Sequence, residues 1–154
     1  MAKESAGLLM YRFRQGELQF LLVHPGGPFW QKKDLGAWTI PKGEVRPDEE
    51  ALNAARREFR EEVGFEPEGE FLPLTPVKQK GGKLVRAWAF QGDCDVASCK
   101  SNTFQVQWPP RSGVLRDFPE VDRVEFFELN FAKEKINSAQ ASFLDETVLL
   151  VRKS

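Results

Sequence analysis

Cysteine and histidine are scarce in this chain. Only Cys94 and Cys99 occur among 154 residues. Two thiols cannot build a disulfide framework, and their spacing is not a usual zinc pattern. Reduced thiols in a cytoplasmic protein are therefore expected. His24 is the only histidine, which argues against a zinc centre of the common His/Cys kind and against a Ser-His-Asp triad. No apolar run approaches the roughly 20 residues of a membrane-spanning helix, and residues 1–5 lack a signal peptide's apolar stretch. Charge excess is missing too. The 22 basic and 23 acidic residues leave a net charge of −1, so no strongly basic face for duplex nucleic acid is expected. What remains fits one ordinary globular domain over residues 1–154, long enough to bury a core, with neither nucleic acid nor membrane as partner.

Hydrophobic patterning outlines the elements. Residues 6–13 and 18–23 read as two strands around a turn at 14–17, the second strand buried on both faces. His24-Pro25-Gly26-Gly27-Pro28 breaks the chain and opens a loop carrying Phe29, Trp30, Lys32 and Lys33. Trp38-Thr39-Ile40 reads as a short strand stopped by Pro41. Residues 70–79 and 83–91 flank Gly81-Gly82, a hairpin signal. Residues 94–102 read as a loop, 103–108 as a strand, 111–119 as an irregular surface segment and 124–129 as a last strand. Residues 139–152 read as a closing helix with Phe143, Val148 and Leu149 turned inward. Strands on both sides of a central helix, with a hairpin and a closing helix, predict a mixed sheet covered by helices on both faces.

The central helix carries the chemistry. Pro47-Asp48-Glu49-Glu50 has helix-start character, with Asp48 as capping residue and early acids at the positive helix end. The helix is expected to end near Val63, with Gly64 as its stop. Leu52, Ala55, Phe59 and Val63 recur at three- and four-residue steps and make one buried stripe. Glu58, Glu61 and Glu62 are also three and four apart, so their carboxylates share a sector. That sector is expected to lie beside the stripe, along a cleft. Such close like charges destabilise a helix by a few tenths of a kcal/mol, about 0.2–0.5 per pair. A hard divalent ion, Mg²⁺ or Mn²⁺, reverses the sign of that penalty, and oxygen-only ligands favour it over zinc. The bland alternative is a solvated helix face whose glutamates pair with Arg56, Arg57 and Arg60.

The full spacing decides between them. Gly43, five residues, Glu49, seven residues, then Arg57-Glu58-Phe59-Arg60-Glu61-Glu62-Val63-Gly64-Phe65 resembles the Nudix hydrolase signature at every specified position. Chance would produce such a match in a chain of this length on the order of once in ten million. The resemblance implies an α/β fold, the Nudix α/β/α sandwich around a central mixed sheet. It also implies Mg²⁺-dependent hydrolysis of a phosphoanhydride bond in a nucleoside diphosphate linked to a group X. By this resemblance Glu58, Glu61 and Glu62 are metal ligands and catalytic residues, and the Gly43 carbonyl joins the metal shell. Glu49 and Arg57 form a structural brace.

Related enzymes place a further carboxylate on a loop near the site. Glu120 is assigned that catalytic role here, with Asp122 and Glu125 as alternatives. Trp38-Thr39-Ile40-Pro41-Lys42-Gly43 is similar to the segment found in diadenosine polyphosphate hydrolases of the family. Lys42 and Lys32 are expected to meet substrate phosphates, and Trp30, or its neighbour Phe29, to stack on a base. A nucleoside triphosphate or dinucleoside polyphosphate is the leading substrate. ADP-ribose or a nucleotide sugar is an alternative, as is a non-catalytic nucleotide-binding module, and the chain is expected to be a monomer or homodimer. Replacing Glu61 or Glu62 by glutamine is expected to cut turnover about a hundredfold or more, the scale of losing one transition-state charge contact. Folding should change little; rates measured beside thermal midpoints check both halves.

Overall fold

A computed structural model describes residues 3–152. The first two strands are β1 (Glu4–Arg14) and β2 (Glu17–Pro25). They form an antiparallel hairpin whose register runs from Tyr11↔Phe20 to Arg14↔Glu17. Gln15 and Gly16, both with positive φ, make the tight turn that this pairing requires. A long loop leads to β3 (Lys42–Glu44), which pairs antiparallel with β1. The central helix α1 spans Ala51–Val63. Beyond it come β4 (Leu72–Pro73), β5 (Val77–Lys78), β6 (Leu84–Gln91), β7 (Thr103–Gln107), β8 (Leu115–Pro119) and β9 (Val121–Glu128). Two helices close the chain, α2 (Leu129–Lys135) and α3 (Ala141–Arg152).

Among the described residues, seven strands form one sheet in the order β4-β6-β1-β2-β9, with β3 added to β1 and β5 to β6. The β1–β6 pair is parallel and the others are antiparallel, so the sheet is mixed. Side chains alternate across it, as the pleat dictates. Leu9, Tyr11, Phe20 and Leu22 face one core with Phe143, Leu144 and Val148 of α3 and Ala132 of α2. Ala6, Leu8, Met10, Leu21 and Val23 face the other core with Ala54, Ala55, Phe59 and Val63 of α1. The sheet is thus sandwiched between helices, as the sequence predicts. No helix among the described residues is long and apolar enough to cross a membrane.

Several local expectations need correction. Asp48 does not cap α1. Residues 46–49 close a turn, and Glu50 stands at the N-cap without a side-chain hydrogen bond. Residues 115–119 are not irregular: β8 pairs with β7 in a separate two-stranded ribbon. Its side chains are mostly exposed, so no apolar alternation marked it. The expected strand over 70–79 survives only as β4 and β5, because Pro73 and Pro76 withhold ladder donors. The last strand stops at Glu128 and α2 follows at once. In α3, Leu149 is 63% exposed, being rotated about 100° from Val148. Leu144 and Thr147 take the inward positions instead.

Gly64 stops α1 as expected, in the left-handed conformation with its N–H donated to the Arg60 carbonyl at 2.9 Å. The helix is held on the sheet chiefly by Phe59, which is fully buried and stacks edge-on to Phe90 with ring centroids 5.5 Å apart. Phe59→Ala is expected to remove about 3–5 kcal/mol of unfolding free energy, read from urea titration; a loss under about 1 kcal/mol would mean that α1 is docked by something else.

Candidate active site

The site is built on α1 and the three-residue strand facing it. Pairing of Ala6 with Gly43 fixes β3 against β1. Gly43 then lies so close to α1 that a Cβ there would overlap the Glu58 carboxylate. That approach brings the Gly43 backbone beside an acidic side chain.

Arg57 organises the acids around it. Its guanidinium donates to both oxygens of Glu49 at 2.8 and 2.9 Å, to Glu58 at 2.9 Å, to Glu61 at 3.2 Å and to the Glu44 carbonyl at 3.1 Å. The two contacts to Glu49 are bidentate, the geometry in which a charge-assisted pair is strongest. They pull the Glu49 carboxyl down to about 2. Glu49 also accepts from the Arg46 N–H at 3.2 Å, so the brace ties the turn before α1 to the helix itself.

Beyond the brace opens a cleft of about 320 Å³ whose lining includes Trp30, Thr39, Lys42, Glu62, Gln79 and Glu120. Glu62 does not lie off the buried face as expected. It is only 8% exposed, and its Oε2 has no hydrogen-bond partner. It lies one turn from buried Phe59 and lines the cleft together with Lys42 of β3. Burial, followed by repulsion from Glu58, pushes its carboxyl well above the usual range, and Lys42 opposes the shift. Burial likewise pulls the Lys42 ammonium below the ordinary lysine value; Lys83 adds to this, while Glu62 and Glu58 counter it.

Glu120 reaches the cleft through a backbone relay. Asn102 donates its N–H to the Glu61 carbonyl at 2.8 Å, Glu120 donates to the Asn102 carbonyl at 2.8 Å, and Gly26 donates to the Glu120 carbonyl at 2.9 Å. A Cβ on Gly26 would overlap the Pro119 carbonyl oxygen. Burial, then the charges of Glu58 and Glu61, raise the Glu120 carboxyl. The alternatives fall elsewhere. Asp122 sits 2.7 Å from His24 Nδ1, and Glu125 is exposed beside Cys99 and Arg123.

Lys32 is exposed and lies outside the cleft lining, whereas Trp30 is part of it. The Trp30–Lys33 turn is fixed from below. Buried His24 holds the Lys33 carbonyl at 2.6 Å through Nε2, and Asp34 accepts from Trp38 Nε1 at 2.8 Å and pairs with Lys135. Sequence reasoning reads His24 as a strand-end residue and passes over Gly26 and Asn102 as site-building residues. Only Gly26 left a local trace, in the run of glycine and proline around it.

The donor set suits a hard cation. Glu58, Glu61 and Glu62 offer only oxygen, and an orphaned buried carboxylate oxygen calls for a partner. Among the described residues no acidic, histidine and cysteine side chains already form a closed metal-binding group, because Glu58 and Glu61 are turned to Arg57.

A model of the NUDIX domain matches residues 1–147. The chain belongs to the NUDIX family. Two relatives are asymmetrical bis(5'-nucleosyl)-tetraphosphatases. The Caenorhabditis elegans protein is 38% identical over 68 residues, 44% of this NUDIX chain and 45% of that protein. The Mus musculus protein is 34% identical over 101 residues, 57% of this chain and 64% of that one. The matched regions span less than two thirds of either relative. A crystal structure of a C. elegans Ap4A hydrolase binary complex shares the NUDIX fold with a TM-score of 0.68 at 23% identity, covering 99% of this chain and 100% of that one. The NUDIX domain of Shewanella oneidensis NrtR, complexed with ADP ribose, gives 0.67 at 16% identity over 100% and 90%. At these identities the likeness to the solved structures is one of fold.

Arg57→Ala should cost about 1.5–3 kcal/mol, the range for hydrogen bonds to charged groups, and lower turnover as well. Glu49 is held below its unfolded value of about 4.3, so the pair stabilises fully above that pH. Its contribution fades as pH falls towards about 2. The stability gap between wild type and Arg57→Ala in urea should therefore shrink from pH 7 to pH 3; an unchanged gap contradicts the assignment.

Proposed function

We propose that this NUDIX chain, as a single domain over residues 1–154, hydrolyses a phosphoanhydride bond in a dinucleoside polyphosphate or nucleoside triphosphate. One observation carries the reading: a buried carboxylate with an unpartnered oxygen, Glu62, shares a phosphate-sized cleft with Lys42 and Glu120. An acid so placed is costly unless a cation meets it. Glu58, Glu61, Glu62 and the Gly43 carbonyl would hold Mg²⁺, with Mn²⁺ as substitute. When bound, the ion neutralises phosphate charge and polarises the phosphorus–oxygen bond.

The chain's own groups do the rest. Lys42 sets a point charge against a phosphate oxygen, and its lowered pKa marks a desolvated ammonium. Glu120, with a raised carboxyl, accepts a proton from the attacking water, as a general base poised nearer neutrality does. Trp30 offers a flat ring to a base at the cleft mouth, and Lys32 meets the outer phosphates. The names of the two sequence relatives favour dinucleoside polyphosphates among the candidates. We infer a cytoplasmic protein, monomer or homodimer, acting on free nucleotides.

A substrate panel tests this directly. Nucleoside triphosphates, diadenosine polyphosphates and ADP-ribose are incubated with and without Mg²⁺, and phosphate is followed after phosphatase treatment. Turnover is expected on the first two groups and lost on chelation. Preference for ADP-ribose would redirect the substrate class. Saturable binding with no turnover on any compound would identify a nucleotide-binding module instead.

A further inference from the structure

Outside the catalytic cleft, the largest unexplained feature is an aromatic corner where the Trp30 loop meets the β7–β8 ribbon. Phe29 is 61% exposed and Trp30 is 40% exposed. The Phe29 ring lies 5.6 Å from that of Trp108, at 83°. Trp108 is half-buried at the outer end of the ribbon, where its N–H donates to the Val114 carbonyl at 2.9 Å. Adjacent exposed rings of this size rarely stand unused on a folded surface. We propose that Phe29 and Trp108 hold a flat aromatic group at the far end of the substrate, the second nucleobase of a dinucleoside polyphosphate.

The corner is continuous with the cleft. Trp30, next in sequence to Phe29, lines the cleft beside Lys42 and Glu120. Lys33 places its Nζ 5.1 Å from the Trp30 ring centroid, and neither Lys32 nor Lys33 has an acidic partner among the described residues. A polyphosphate chain leaving the cleft on this side runs past two ammonium groups that no carboxylate neutralises before it meets the rings. That succession, phosphate site then cations then aromatic faces, matches the order of groups in a dinucleotide.

Both sides of the corner are held in place before any ligand arrives. The loop is pinned through His24 to the Lys33 carbonyl. The ribbon is pinned at its base by the Asn102–Glu120 bond, and Gly27 lies so near Phe104 that a Cβ would stand 2.9 Å from its ring. Two rings set edge to face offer a base one face to stack on and one edge to abut, with little ordering left to do on binding.

This inference rests on the proposed phosphoanhydride hydrolysis, and a matched substrate pair separates the two. Diadenosine tetraphosphate and adenosine 5'-tetraphosphate carry the same phosphate chain with and without the second base. The readout is the ratio of their kcat/KM values in wild type, Trp108→Leu and Trp108→Phe. Leucine keeps apolar bulk without a π face, and phenylalanine keeps the face. The ratio should favour the dinucleotide in wild type. It should fall about fivefold or more in Trp108→Leu through KM, fivefold being the low end for losing one base–aromatic stack, and stay within about twofold in Trp108→Phe. An unchanged ratio in the leucine variant overturns the corner, as does an equal drop in both variants or a parallel loss on both substrates. Wild type that turns over neither compound defeats the hydrolysis reading itself.

Discussion

Four glutamates, Glu49, Glu58, Glu61 and Glu62, crowd one side of a single helix and the turn before it, and the structure depends on how that charge is held. Arg57 does most of the holding. By donating to three of the four and to the Glu44 carbonyl, it converts mutual repulsion into a network spanning the turn, the helix and β3. A lysine would supply the same charge without the planar fork that reaches several acceptors at once. Only Glu62 escapes the arginine. Its uncompensated oxygen sits at the back of the cleft, where the NUDIX fold brings Lys42 and Glu120 alongside it. The brace and the cleft are therefore two parts of one electrostatic arrangement, one satisfied by Arg57 and the other holding a carboxylate oxygen without a hydrogen-bond partner.

The core of this arrangement is legible in the sequence because it is local. The three- and four-residue steps of Glu58, Glu61 and Glu62, and of the apolar stripe beside them, place each set on one helix face, and the resemblance to the family signature implies the brace. The mixed sheet between helices is also legible, since β1, β2 and β6 are strong apolar runs. What the sequence hid is non-local. Glu62 is buried in a cleft it shares with Trp30, Lys42 and Glu120 from distant parts of the chain, which no helical wheel shows. Asn102 acts through its backbone, so its side chain carries no signal. The ribbon strand Leu115–Pro119 lacks alternation because it covers no core. Leu149 looks like a core residue until the rotation of α3 turns it outward.

The cleft also shows how a carboxylate can be delivered by a loop without becoming loose. Glu120 is held by main-chain bonds on both sides, from Asn102 and Gly26, and the close approach of Gly26 to Pro119 leaves no room for a side chain between them. The same segment leads into β9, whose Asp122 meets His24 beneath the Trp30 turn. Glu120 in the cleft and the Trp30 turn at its edge therefore share one scaffold, although they come from distant parts of the chain.

The bond between Asn102 and Glu120 closes the root of the β7–β8 ribbon, and it involves no side chain. Insertions, deletions or replacement in the arm beyond the Thr103–Pro119 pair would lengthen or reshape it while the root stayed shut. Evolution can thus experiment with what the arm touches and leave the reacting groups undisturbed. In this architecture, reach and chemistry are free to drift apart.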